Sequence, residues 1–517
     1  MIKTKPDKHV EETFAKMKRE CYAQSSGIVY TSEVPRAAID MATYEIMINP
    51  ESFKEFLNMT PEQIAAGYLQ HEYQGHLVNH PFDVKRVVAE SIALQNMNVD
   101  DNKANFVRNR FDDIVANLKV WNYYDARELA SLYANFKSQM KYDDVEKNLY
   151  QIILETDIGV KPDKEIKAYA EKLRKIDFLS GRPIKNIREC EAQIKRFYKV
   201  IEPLLKDVDS KNESAFGDIK MSDIPSKEIE KAVKSLAVGG DVKLEDAKKF
   251  LKEYAKNKGI NEKKSGKPKE FSEAGNSFSN NPDVYANQVI YDGFSEQYTL
   301  RIKKLPIKTN GGLYPSGYED WESSDSVEKM DPFASFGLIA PGITKKTTES
   351  KMSTYGKGES VPDLFILLDD SGSMPNPTEN VSSAVLASFV AAKNYVRNGA
   401  EVGVSRFSDR TTEPVFSKYE KKALEELLKF KSGGATNVDI DIIDNKISNR
   451  KNKLDAILIT DGQISNRSAV VNYLSTYNRA FMFEIGKSGN PKKEEKVIVY
   501  PISKPEDIAK IIIDEVV

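Results

Sequence analysis

Three of the four histidines in this chain fall in one short stretch, HEYQGHLVNH, as His71, His76 and His80. Clustering of this kind in a histidine-poor chain marks a metal site. Glu72 stands directly beside His71, where a carboxylate can serve as general base to a water polarised by the ion. A second set of residues offers only oxygen. The stretch LFILLDDSGSM ends in Asp369-x-Ser371-x-Ser373, LITDGQ carries Asp461, and the glycine-rich SGGATN carries Thr436. Imidazole nitrogens suit zinc, whereas carboxylate and hydroxyl oxygens suit Mg²⁺ or Mn²⁺.

The elements that must position the first set are well marked. Thr60-Pro61-Glu62-Gln63 supplies a helix N-cap, a proline in the first turn and a capping-box glutamine. Ala65, Ala66, Tyr68 and Leu69 continue the helix as its apolar positions, and TYEIMINP just upstream reads as a strand. The spacing of the histidines is unusual. A ligand pair one helical turn apart would place the second histidine at position 75, but Gly75 sits there and His76 follows. On a regular helix such neighbours point about 140° apart. Two solutions are open. A one-residue π-bulge would bring His71 and His76 together and leave Glu72 as base, or Glu72, His76 and His80 would form a straight stripe. Zinc in a catalytic site needs a third protein ligand, for which Glu90 in VVAES and His80 are candidates, beside Asp113 in NRFDDIVANL. Asp112, Asp100 and Asp101 read as solvated charges, and His9, near the charged terminus, as surface.

The second set belongs to an alternating pattern. Residues 364–368, 401–407, 455–460, 480–486 and 496–502 read as strands. Amphipathic segments near 381–397, 419–430, 438–447, 466–476 and 504–515 read as helices. Strands separated by helices imply a parallel sheet covered on both faces. Ligands of such sheets bind at the carboxyl ends of the strands, where Asp369 and Asp461 fall. Residues 125–255 are mostly helical with charged faces, and the polar run 256–281 reads as a mobile loop or linker.

At 517 residues the chain has room for several domains. Its net charge of −2 gives no bias towards nucleic acid or acidic membranes. No apolar run is long enough to cross a bilayer, and MIKTKPDKHVEETF has no apolar signal region. The two cysteines, Cys21 and Cys190, form no metal or disulfide framework, so a cytoplasmic protein is expected.

The set Asp369, Ser371, Ser373, Thr436 and Asp461 resembles the metal-ion-dependent adhesion site of von Willebrand A domains. By that resemblance Ser371 and Ser373 bind the ion directly, Thr436 binds directly or through water, and Asp369 and Asp461 hold coordinated waters. One position then stays open for an Asp or Glu of a protein partner or substrate. The order strand, INP, capped helix and HE resembles the active-site region of zincin peptidases, and especially the von Willebrand A-like metallopeptidases of prokaryotes. Those proteins join an N-terminal HE helix to a C-terminal A domain, as here. They carry a helical Asp-x-x-x-Asn motif that Asp113 and Asn117 match, which makes Asp113 the favoured third ligand beside His71 and His76. Zinc peptidases of the TldD type show that HExxxH is usable.

The resemblance implies an α/β protein overall. An α+β zincin-like domain would span 1–125, with a helical region at 126–255 and a linker and bridging segment at 256–350. A Rossmann-like, doubly wound A domain would span 351–517. In the bridge, GGLYPSGYEDWESSD and SFGLIAPGITKK resemble the family's approach to the A domain, with Trp321 read as a packing anchor. Two functions follow as expectations. One is a zinc peptidase whose A domain recruits a partner. The other is a non-catalytic adaptor for a MoxR-type AAA+ ATPase, since the chain has no phosphate loop of its own.

Overall fold

Capping and apolar spacing set the N-terminal helices. In the computed structural model, Thr60 Oγ1 accepts from the Gln63 amide and Gln63 Oε1 accepts from the Thr60 amide, so both residues of the capping box are engaged. The structure describes residues 3–21, 25–40, 43–56, 58–177, 186–206, 221, 224–258, 281–298, 313–322, 324–335, 340, 342–351, 362–429, 434–448, 454–512 and 514. Most of the run expected as a linker, 259–280, lies outside them, as do the first two residues of SGGATN. The described residues divide into two units that meet along the chain between Phe294 and Ser295.

In the first unit, β1 (Gly27–Tyr30), β2 (Ala37–Asp40) and β3 (Glu45–Ile48) form a small sheet in the order β1-β3-β2. β1 runs parallel to β3, and β2 antiparallel. The strand expected in TYEIMINP is β3. Helices follow: α1 (Lys8–Cys21) ahead of the sheet, then α2 (Pro61–Leu69), α3 (Val84–Gln95), α4 (Asp101–Tyr123), α5 (Arg127–Asn135) and α6 (Lys141–Leu154). Between α2 and α3 lies a π-helix, Gln70–Asn79. One apolar core runs from Val10 through Ile46, Tyr68, Phe111 and Tyr150 to Phe197, so residues on either side of position 125 share it. Each such large side chain contributes about 1.5–3 kcal/mol by leaving water. The helical character expected for 125–255 is present in α5, α6 and the helices Lys164–Arg174, Ile187–Ile201, Ser226–Val238 and Leu244–Asn257.

The second unit contains a three-stranded antiparallel sheet of β4 (Leu313–Asp320), β5 (Met330–Asp331) and β6 (Lys345–Lys351), ordered β4-β6-β5. These strands are not among those read from the sequence; β6, KKTTESK, is polar throughout and shows no apolar alternation. Trp321 follows β4. It is partly exposed, and its Nε1 donates to the Ser326 carbonyl at 3.3 Å.

The larger sheet of this unit has seven strands: β7 (Asp363–Asp369), β8 (Val402–Phe407), β9 (Val415–Ser417), β10 (Leu454–Thr460), β11 (Arg479–Ile485), β12 (Lys492–Glu494) and β13 (Val497–Ile502). Their order is β12-β13-β11-β10-β7-β8-β9, and the five inner strands are parallel. The five strands read from the sequence are these five. The short edge strands β9 and β12 pair antiparallel and carry too few apolar residues to read as strands. Alternate residues of β7, β10 and β11, including Phe365, Leu458 and Met482, pack with Ile443 and Ile447 of helix Ile440–Ile447 and with Val470 and Leu474 of helix Arg467–Leu474. Helix Ser383–Arg397 packs against β7, β8 and β10, next to helices Glu420–Leu428 and Ile508–Ile511. Of the expected last helix, 504–515, a 3₁₀ turn at Pro505–Asp507 leads into Ile508–Ile511, and residues 513 and 515 lie outside the described residues. The chain leaves β7 towards β8 and later returns to β7's other side as β10. The strand order therefore reverses between β7 and β10, which opens a crevice at their carboxyl ends.

Candidate functional site

The widened turn brings the two histidines together. Within the π-helix the His80 amide donates to the Gly75 carbonyl at 2.8 Å, five residues back. Gln70 anchors the start of this segment on α5: its Oε1 accepts from the Leu129 amide at 2.7 Å and its Nε2 donates to Glu128 at 2.6 Å. Gly75 lets the π-helix lie against α4. A Cβ there would stand 3.3 Å from Ala116 Cβ and 3.6 Å from Val120 Cγ2. The extra residue turns His76 onto the face of His71, and the two rings meet edge to face with centroids 4.7 Å apart.

Asp113, from the middle of α4, completes the group. Its Oδ1 is 3.6 Å from His71 Nε2 and 3.3 Å from His76 Nε2. One ligand atom from each of the three residues lies within 4.8 Å of the others. A zinc tetrahedron with bonds of 2.0–2.2 Å has edges of about 3.3–3.6 Å, so two of the three spacings already match. The second oxygen, Asp113 Oδ2, is buried with no hydrogen-bond partner. An unsatisfied buried carboxylate oxygen beside two imidazoles fits a cation of the zinc class.

Electrostatics follow burial. Burial, aided by the neighbouring His76, lowers the His71 pKa to about 3, so this ring is neutral, as a metal ligand must be. For His76, burial alone would lower the pKa. The hydrogen bond and charge of Asp113, joined by Glu72, outweigh it and raise the pKa above the ordinary value. Burial pushes Glu72 up to about 7; His76 opposes this and Asp113 adds to it. A carboxyl poised there can take a proton near neutral pH.

His80 and Glu90 do not join this cluster. His80 lies just past the π-helix, and its Nε2 pairs with Asp112 Oδ1 at 2.9 Å. Glu90 accepts from Cys190 Sγ at 2.8 Å and faces Arg86 at 3.6 Å. The straight stripe of Glu72, His76 and His80 is therefore not formed, because the π turn rotates His80 away. Asp112, expected as a solvated charge, is buried between His80 and Arg86. Asp100 caps α4 by accepting from the Lys103 amide, and His9 is exposed.

Four members of the oxygen set, Asp369, Ser371, Ser373 and Asp461, lie at the β7/β10 crevice. Asp369 ends β7 and is buried, and Ser373 on the following loop is exposed. Asp369 Oδ1 accepts from the Ser371 amide at 2.9 Å. Ser371 Oγ and Ser373 Oγ are 3.0 Å apart, and Ser373 Oγ donates to Asp461 Oδ2 at 2.5 Å. Adjacent corners of a Mg²⁺ octahedron with bonds of 2.0–2.1 Å are about 2.9 Å apart, so these hydroxyls have the spacing of such a site. Thr436 sits on the neighbouring loop, whose carbonyl at 436 accepts from the Ser465 amide at 2.8 Å. Gly462, at φ +83°, makes the turn directly after Asp461. Burial raises the Asp369 pKa against the hydrogen bonds of Thr460 and Ser371.

Sequence reasoning missed two supports of this site. Thr460 Oγ1 donates to Asp369 Oδ2 at 2.6 Å, and Arg406 faces the buried Asp370 at 3.4 Å. Thr460, the last residue of β10, had a readable signal: a strand-end hydroxyl beside an acidic strand end. Arg406 had none. No protein-family model matches this chain, and no curated protein matches it. Among the described residues, no helix is long and apolar enough to cross a membrane.

Proposed function

We propose that this chain is a zinc-dependent peptidase of the zincin type whose C-terminal region, of the von Willebrand A type, recruits a partner or substrate through a Mg²⁺ or Mn²⁺ site. The observation that carries the reading is the convergence of His71, His76 and Asp113 through the π-helix, with Glu72 buried beside them. His71, His76 and Asp113 would hold the zinc. When bound, zinc supplies Lewis acidity and lowers the pKa of a coordinated water. Glu72 takes the proton from the attacking water and hands it to the leaving amine. Its raised pKa suits both halves of that transfer. The burial of His71 and Asp113 excludes bulk water and strengthens each charge interaction.

Purified chain should contain one zinc per molecule and cleave an unfolded polypeptide such as casein. Glu72→Gln should keep the zinc and the fold while cleavage falls by roughly 10²–10⁴-fold. Unchanged cleavage by that variant refutes the role of Glu72.

The exposed Ser373 hydroxyl beside Asp461 favours a second reading. In it the chain is a metal-dependent adaptor that grips the Asp or Glu of a protein partner, such as a MoxR-type AAA+ ATPase, and the zincin-type region serves as scaffold. The free thiols Cys21 and Cys190 support a cytoplasmic setting under both readings. Capture of the partner should then require Mg²⁺ and be lost with Ser371→Ala and Ser373→Ala. Capture that survives both EDTA and these variants excludes the adaptor.

A further inference from the structure

Behind His71 the buried polar side chains of α4, α5 and α6 form one continuous chain of hydrogen bonds. His71 Nδ1 lies 2.7 Å from Asn117 Oδ1. Asn117 Nδ2 donates to Tyr133 Oη at 2.8 Å and to Tyr150 Oη at 3.0 Å. Tyr150 Oη in turn donates to Glu146 Oε1 at 2.8 Å. Glu146 faces Arg110 at 3.7 Å, and Arg110 is held by Asp143 at 3.4 Å. Asn117 and Tyr150 are fully buried, and Glu146 and Arg110 nearly so.

Above the Glu146 pKa, with that carboxylate ionised, the donors in this chain run in one direction. An ionised carboxylate accepts and never donates, and a tyrosine hydroxyl has a single proton. Tyr150 must therefore give its proton to Glu146, and its oxygen receives an N–H from Asn117. Turning the amide over would set Asn117 Oδ1 against Tyr150 Oη with no proton between them. Such a buried mismatch costs roughly 1–3 kcal/mol. The amide oxygen consequently faces His71, and an oxygen at that position bonds only to a protonated Nδ1.

We infer that Glu146, acting through Tyr150 and Asn117, fixes His71 as the Nδ1–H tautomer, so that Nε2 carries the lone pair on the side of His76 and Asp113. Glu146 and Tyr150 are thus positioning residues for a group they never touch. The position of the proton is a property of the metal-free chain. Its consequence for affinity rests on the zinc reading above, because a ring held in the other tautomer must move its proton before it can ligate through Nε2.

The experiment uses full-length, zinc-free protein labelled with ¹⁵N-histidine, which has only four histidines to assign. A long-range ¹H–¹⁵N correlation is recorded at about pH 8, above the value of about 7 to which burial, opposed by Arg110, raises Glu146. The Nδ1–H form of His71 is expected, and an Nε2–H form overturns the inference. Tyr150→Phe removes one hydroxyl and keeps the ring. It should give a mixture of tautomers and about 10–100-fold weaker zinc affinity. Wild-type tautomer and wild-type affinity in that variant also overturn the inference. If Tyr150→Phe does not fold, the wild-type spectrum decides alone. A chain that binds no zinc yet holds His71 as Nδ1–H removes the peptidase reading and upholds this one.

Discussion

The two candidate metal sites are built in opposite ways. The nitrogen site is deep: His71, Glu72 and Asp113 are all buried, and buried hydrogen bonds from Asn117 to Tyr133 and Tyr150 stand behind His71. Its side chains come from a π-helix and from the middle of a packed helix, so helix packing places them. The oxygen site lies at the rim of a sheet. Its residues sit at strand ends and on loops, with Ser373 and the Asp461 turn reaching solvent. The difference separates two uses of a cation. Under the proposed function, the buried site with a base of raised pKa suits a reaction from which water is excluded, whereas the open rim suits a partner's carboxylate.

The strongest test of this comparison removes one ligand from each site. His76 is partly exposed, so His76→Ala should leave the fold intact while zinc affinity drops by on the order of 10³-fold or more, given that zinc sites are worth about 10–16 kcal/mol in total. Competition with a chromophoric chelator measures the loss. Mn²⁺ binding at the sheet should not change, and a joint loss of both metals would make the two sites one coupled system. The converse pair, Ser371→Ala and Ser373→Ala, should weaken Mn²⁺ binding by roughly tenfold or more, about 1.4 kcal/mol for each factor of ten, and leave zinc alone. Electron paramagnetic resonance of free Mn²⁺ reads that change.

Proton competition sharpens the contrast further. Zinc must displace a proton from His76, whose folded pKa lies above 6.5. Zinc affinity should therefore be highest at alkaline pH and start to fall before the pH has dropped to 6.5. Below the His76 pKa it should fall about tenfold per pH unit. His71, already lowered to about 3, adds nothing over that range. The oxygen site has no imidazole, so Mg²⁺ affinity should stay flat from about pH 8 to about pH 6. Isothermal titration at several pH values measures both, and parallel curves would contradict the assignment of His76. The smallest effect is structural. Gly75→Val should destabilise the first unit by about 1–3 kcal/mol in urea unfolding, through overpacking against Ala116 and Val120, with no effect on Mn²⁺ binding.

The two sites were also unequally legible in the sequence. Continuous apolar runs between helical patterns marked the five parallel strands, and their ends put Asp369 and Asp461 at one edge, because strand direction and sheet topology alone place residues there. The edge strands β9 and β12 and the sheet of β4, β5 and β6 escaped notice. Short or polar strands are held by neighbours and carry no pattern of their own. At the nitrogen site the cluster HEYQGHLVNH named the residues but left two geometries and three third ligands open. His80 turned to Asp112 and Glu90 to Cys190, partners far away in sequence.

What the sequence determined by itself was the chemistry on offer: three imidazoles and a carboxylate in one short stretch, five oxygen-bearing side chains around a parallel sheet, and the capped helix that starts the first group. Local residue types and short spacings decide such matters. Only the tertiary structure decided that the helix widens by one residue at Gly75, that Asp113 rather than His80 or Glu90 closes the triad, and that Asn117, Tyr150 and Glu146 stand behind His71. Those outcomes depend on how α4 and α5 pack against the π-helix and on the hydrogen bond from Asn117 of α4 to Tyr150 of α6. Packing joins residues distant in the chain through shape and burial, which no local pattern records.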